Sequence, residues 1–233
     1  RARELAEKGD QAGSDDALKR PVTLKHIDEA ITRHMLGGVA TGHRSERDRR
    51  LSAIHEAGHT IIRLDSGIEV LKVSVTPYTT GAGGLTHTDI EETGFLTQEE
   101  LRGRIRFILG GLAAEEVVTG NHSTGVADDL KKASNLALQC VTCFGTDGLL
   151  NEEAVRDRVG FRGISDEKLA KAEILLQQEA KNAREVCEKH REFLNSLVVR
   201  LLAETTILNI LPSDLHMPKA AKENSDCDHT VLN

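Results

Sequence analysis

Two histidines four residues apart, His55 and His59, enclose a glutamate in His55-Glu56-Ala57-Gly58-His59. On a helix, positions i and i+4 lie one above the other on the same face, so both imidazoles can reach one zinc ion. Glu56, one residue after the first histidine, lies beside such an ion and can take a proton from water bound to it. Zinc brings the pKa of that water to about 7, so a hydroxide nucleophile becomes available at neutral pH. The same carboxylate can then pass the proton to a leaving amine. The bland alternative is a pair of surface histidines on an exposed helix, because H-E-x-x-H also arises by chance. Gly58 weighs against it. A glycine inside a helix costs about 1 kcal/mol relative to alanine, which a close backbone or substrate approach would justify.

A catalytic zinc takes three protein ligands and keeps a fourth position open. Glu115 and Glu116 in Gly110-Gly111-Leu112-Ala113-Ala114-Glu115-Glu116 are candidates for the third. So are Asp128 and Asp129 in Ser123-Thr124-Gly125-Val126-Ala127-Asp128-Asp129-Leu130, and His87 and His122, both expected on loops. Spacing alone does not choose among them. For any one of these acids, an exposed charge at a helix end is the commoner case.

The elements that must position these groups follow from periodicity. Thr23 caps a short amphipathic helix carrying Leu24, Ile27 and Ile31, ended by Gly37-Gly38, with a linker over 39–44. A long helix starts at Ser45, with Glu46 and Asp48 complementing its dipole. Its apolar stripe of Leu51, Ile54, Gly58, Ile61 and Ile62 brings both histidines to the border of the core. Leu71 to Thr76 alternates apolar and polar, a strand with one buried face, and Pro77 ends it. Beyond the glycine turn at 81–84, residues 85–88 read as a returning strand. The capping box Thr97-Gln98-Glu99-Glu100 opens a helix predicted to run to Val118 and to close at Gly120. A helix from about Asp128 to Gly145 follows, then a long one from Ser165, continued or paired by Phe193 to Leu202, with Pro212 breaking the pattern. Residues 1–20 read as two helical fragments and 218–233 as a disordered tail. The fold class is mainly α with a small β-sheet.

Composition narrows the context. The 233 residues are 39 % hydrophobic and 29 % charged, which suits a globular chain with a real core. Five Phe, one Tyr and no Trp leave that core to Leu, Ile, Val and Ala. A net charge of −7 argues against nucleic acid as a partner, since phosphate attraction needs a basic field. No apolar run approaches the roughly 20 residues of a membrane span, and no signal-peptide core is present. Four cysteines are too few for a disulfide scaffold, so a reducing, cytoplasmic or cytoplasmic-face location is expected. With Arg rather than Met at residue 1, the chain is expected to be processed or cut from something longer.

Taken in order, His-Glu-Ala-Gly-His, an alternating strand with Pro77, Leu-Gly-Gly-x-Ala-Ala-Glu-Glu and Ser-Thr-Gly-x-x-x-Asp-Leu resemble the peptidase domain of the FtsH family of ATP-dependent zinc metalloproteases. The match runs over roughly residues 45–150, and the helices from 165 to about 215 look like that family's C-terminal helices. Residues 1–40 look like the end of an AAA+ lid and its linker, 41–217 the metallopeptidase domain, and 218–233 the tail. The resemblance implies a helical zincin-like fold. His55, His59 and Asp129, rather than Asp128, would hold one Zn2+ per subunit. Glu56 would be the general base, and Glu115 would stand behind a metal-bound histidine. The strand Lys72, Val73, Ser74, Val75, Thr76 would be an edge to which an extended, unfolded polypeptide adds. A homo-oligomer, a hexamer in the family, is implied. So is an ATPase upstream of Arg1, because no G-x-x-x-x-G-K-[ST] occurs in this chain. Any membrane anchor would lie upstream too. The chain departs from the family pattern at Leu112, where Arg is usual, at Asp128, where Asn is usual, and near Leu85-Thr86, where Tyr is common, so what it resembles is a divergent member.

Two other readings compete: an oligomerisation scaffold with a degenerate site, and a stand-alone zincin acting on small peptides. Cys140-x-x-Cys143 lacks a second pair and reads as two helix thiols. Cys227 and His229 fall in the tail. Arg44, Arg47, Arg49 and Arg50 read as a solvated face or a subunit contact. His26, His34 and His43 lack ligand spacing.

Overall fold

The computed structural model describes residues 22–40, 44–79, 83–88, 95–146, 148, 151 and 163–216. The expected helical fragments of residues 1–20, the start of the glycine turn and the tail from 218 lie outside them.

Helix α1 (Leu24–Leu36) begins as expected at Thr23. Its side chain accepts from the His26 amide while the Thr23 amide donates to His26 Nδ1, so a histidine completes the capping box. Helix α2 (Glu46–Asp65) is capped by Ser45, whose hydroxyl accepts from the Asp48 amide at 3.1 Å. From Ala53 to Leu64 every residue of α2 except His55 is buried. It is therefore the central element, and its neighbours cover it on several sides.

Strands β1 (Val70–Ser74) and β2 (Leu85–Thr88) pair antiparallel, with Val73 opposite Thr86. A third strand, β3 (Thr206–Ile210), pairs antiparallel with the other side of β1, placing Ile207 opposite Val73. The order β2-β1-β3 corrects one expectation. Lys72, Val73 and Ser74 lie in the middle strand, hydrogen-bonded on both sides, and are not an edge. Val75 and Thr76 lie beyond its end, and the Val75 amide donates to Thr205 O. The cause is β3, a short β-branched segment between a helix and Pro212, which follows the helices without a break in apolar content and pairs with the free side of β1.

A second correction concerns the helix from Thr97. It divides into α3 (Gln98–Ile108) and α4 (Gly110–Thr119) at Leu109. The Gly110-Gly111 pair weakens the helix at that point. It also lets α4 lie against α2: a Cβ on Gly58 would be 2.6 Å from Ala114 Cβ and would overlap the Gly110 carbonyl. This backbone contact is what Gly58 is there for. Gly120 closes α4 in the left-handed region at φ 78°.

A 3₁₀ turn (Thr124–Val126) leads into α5 (Ala127–Thr142), which stops before Gly145. Helices α6 (Asp166–Lys189), capped by Ser165, and α7 (Arg191–Glu204) complete the helical layer. One apolar cluster packs α2, α4, α6 and α7 on the sheet, through Ile54, Ile61, Ala113, Cys187, Leu197 and Ile207. A second joins α3, α5 and α6 through Ile105, Leu109, Ala133, Ala137 and Ala172.

Candidate metal centre

The i, i+4 spacing on α2 brings His55 and His59 together as their positions require, with Nε2 atoms 3.1 Å apart. The third group is Asp129, in the first turn of α5. Its Oδ2 lies 2.9 Å from His55 Nε2 and 3.2 Å from His59 Nε2. These three residues form the one group of metal-binding type among the described residues. Asp128 points away to solvent and pairs with Lys132 at 2.9 Å. His122 accompanies Glu116, and His87 lies on β2, not on a loop.

The outer nitrogens decide what can sit between the inner ones. His55 Nδ1 is 3.0 Å from Glu115 Oε1, and His59 Nδ1 is 2.8 Å from the Phe107 carbonyl oxygen. Both partners are acceptors, so each neutral imidazole carries its proton on Nδ1 and leaves Nε2 bare. Two bare nitrogens and a carboxylate oxygen then converge within about 3 Å of one another. Lone pairs so arranged repel unless a cation lies among them. A tetrahedral ion with ligands at about 2.0–2.1 Å would separate its ligand atoms by roughly 3.3–3.4 Å, close to the observed edges of the triangle. The donor set and its spacing fit zinc.

Without a metal, a proton takes the cation's place. Burial alone would lower the pKa of His55, but its hydrogen bonds with Asp129 and Glu115, and the Glu56 charge, outweigh this and raise it from 6.5 to about 10. Burial pushes the Asp129 carboxyl up, and the two imidazoles hold it far below the carboxylate range instead. Glu115 is only 1 % exposed, and despite that burial it too is held low, by His55 and by the Ser123 amide that donates to Oε2 at 2.6 Å.

Glu56 is buried beside this group. The Thr86 hydroxyl donates to its Oε2 at 2.7 Å, and Gly84 packs so closely that a Cβ there would be 2.6 Å from Oε1. A cleft of about 780 Å³ opens onto His55, Glu56 and Glu115, lined also by Arg44, Ser52, Gly83 and Ser123–Gly125. None of residues 72–76 lines it. Lys72 is buried and donates to Thr32 of α1 at 2.9 Å. Thr86 and the Phe107 carbonyl were not anticipated: neither residue type signals the role, and both reach the site only through tertiary packing.

Residues 43–210 match the model of Peptidase family M41. The chain belongs to this peptidase family. Among curated proteins it is 38 % identical over 197 residues to the ATP-dependent zinc metalloprotease FtsH 2 of Symbiobacterium thermophilum, covering 80 % of this chain and 33 % of that protein. It is 36 % identical to the ATP-dependent zinc metalloprotease FtsH of Mesoplasma florum (80 % of this chain, 31 % of that one). It is 32 % identical to an ATP-dependent zinc metalloprotease YME1 homolog of Caenorhabditis elegans (84 % and 29 %). The chain thus spans about a third of the length of these relatives. The M41 match encloses both histidines, Glu56, Glu115 and Asp129, and the helical fold with its small sheet agrees with that family.

Proposed function

We propose that this M41 domain is a zinc endopeptidase that cleaves unfolded polypeptides. His55, His59 and Asp129 hold one Zn2+ per subunit, and Glu56 is the general base. The convergence of three bare donor atoms beside a buried glutamate carries this reading. Bound there, zinc supplies a Lewis acid that acidifies water and polarises a peptide carbonyl. Thr86 occupies Oε2 of Glu56 and leaves Oε1 as the proton acceptor. Glu56 takes the proton of the attacking water on that oxygen and delivers it to the leaving nitrogen, which departs as an amine. Glu115 keeps the His55 ring oriented throughout.

The substrate edge moves from β1 to β2. Strand β2 is the outer strand next to Glu56, and an extended chain that pairs with it would run past the base; backbone pairing of this kind accepts many sequences. Delivery by an AAA+ module outside this chain is supported by the word ATP-dependent in the relatives' names. Assembly into a homo-oligomer of hexamer type and the division at about residue 40 rest on the family resemblance, and a cytoplasmic-face location on the small number of cysteines. No described helix is long and apolar enough to cross a membrane.

Glu56→Gln tests the reading. It keeps the shape of the side chain and the Thr86 contact but cannot accept a proton. Zinc content should stay unchanged while hydrolysis of an unfolded protein such as casein falls about 10²–10⁴-fold. Full activity in that variant refutes the assigned base.

A further inference from the structure

The hydrogen bond from His59 Nδ1 ends on a backbone carbonyl, so the question is what holds that carbonyl still. Phe107 belongs to the last turn of α3, where carbonyls have no following turn of the same helix to bond to. Its oxygen is therefore available to His59 at 2.8 Å. The Phe107 ring also lies against His59, with centroids 5.2 Å apart. On the same ring sits the guanidinium of Arg63, one helical turn after His59 on α2, with Cζ only 3.7 Å from the ring centroid.

Arg63 is an unusual residue for this position. It is 9 % exposed, and its Nε has no hydrogen-bond partner among the described residues. Burial, with repulsion from Arg104, lowers its pKa to about 10. A buried arginine normally lies against a carboxylate. This one lies against a π face, an interaction that strengthens as water is excluded. The stack clamps the end of α3 to α2 at the height of His59.

We propose that Arg63 is a positioning residue for the metal centre: stacked on Phe107, it fixes the carbonyl that orients His59 and so sets the metal affinity. The proposal rests on the zinc reading above. Groups behind a metal ligand typically contribute 10–100-fold to affinity, and Arg63 acts one contact further away.

The test uses the purified chain, with zinc affinity measured by competition against a chromophoric chelator and the ligand field read from the cobalt(II) absorption spectrum. Arg63→Met keeps the apolar stem and removes the cation. Phe107→Leu keeps the carbonyl and removes the ring. Each should weaken zinc binding about 3–10-fold and shift the cobalt bands, with a native circular dichroism spectrum. Arg63→Lys restores a cation over the ring and should recover most of the affinity. Should Arg63→Met fail to fold, Arg63→Lys and Phe107→Leu carry the test. Wild-type affinity and unchanged cobalt bands in the folded variants overturn the proposal. So does a loss that only tracks a lowered melting temperature while the bands stay put. If the wild-type chain itself binds no zinc, it is the zinc reading that fails.

Discussion

Gly111→Ala is the smallest change that should weaken the proposed metal centre without replacing any of its three donor residues. A Cβ at residue 111 would stand 2.6 Å from His55 Nε2 and closer still to Cε1, whereas ordinary contact begins at 3.4 Å. The imidazole must therefore retreat by about 1 Å, several times the roughly ±0.2 Å that a metal–ligand distance tolerates. Its hydrogen bond to Glu115, now 3.0 Å, is lost in the same movement. Zinc affinity should fall by at least 10–100-fold, and overpacking should destabilise the fold by about 1–3 kcal/mol. Two other glycines make the comparison specific. A Cβ on Gly103 meets nothing within 4 Å, so Gly103→Ala in α3 should keep zinc and gain about 0.4–1 kcal/mol. Gly84→Ala presses on Glu56 and on no ligand, so it should keep zinc and lose turnover. The measurements are metal content by emission spectrometry, thermal unfolding and peptide hydrolysis on all three. A Gly111→Ala protein that binds zinc as tightly as wild type would refute the argument from the close approach of α4 to His55.

The two adjacent acids should separate cleanly. Asp129→Asn should lower zinc affinity much more than Asp128→Asn, because Asp128 faces solvent with 75 % of its side chain exposed; the reverse result would show that the wrong acid was assigned. Zinc binding should also be coupled to pH. His55 has its pKa raised to about 10 in the metal-free fold, so its charged form stabilises that fold fully below pH 6.5 and ceases to do so as pH rises through 10. Zinc must displace that proton, so affinity should climb by up to tenfold per pH unit below about 10, and calorimetry in buffers of different ionisation heat should count the proton released. A pH-independent affinity would contradict the coupling.

The sequence made some of these features legible and hid others for definite reasons. The convergence of His55, Glu56 and His59 on one face of α2 was readable because three residue types and one helical period carry it. The caps at Thr23, Ser45 and Thr97 were readable because capping is a local hydrogen bond. Asp129 was not distinguishable from Asp128 by spacing. It is 74 residues from His55, and one step along α5 decides whether a carboxylate faces the two imidazoles or solvent. Strand β3 was hidden because five residues are too short to show a strand period and their partner, β1, lies more than 130 residues earlier. Without it, β1 looked like an edge.

The break at Leu109 was hidden for a different reason, since apolar periodicity continues across Gly110-Gly111 as if the helix did. Yet the site depends on it. Phe107 and Glu115, the partners of the two imidazoles, are eight residues apart. On one straight helix they would be separated by about 12 Å along the axis, while His55 and His59 are a single turn, about 6 Å, apart. The Phe107 carbonyl would also be taken by the amide of residue 111. Ending α3 at Ile108 frees that carbonyl for His59. Restarting at Gly110 lays α4 flat on Gly58 and turns Glu115 to His55, from where its other oxygen receives the Ser123 amide at the start of the segment that carries Asp129. One pair of glycines thus sets the orientation of both imidazoles, and Glu115 links them to the segment that carries Asp129.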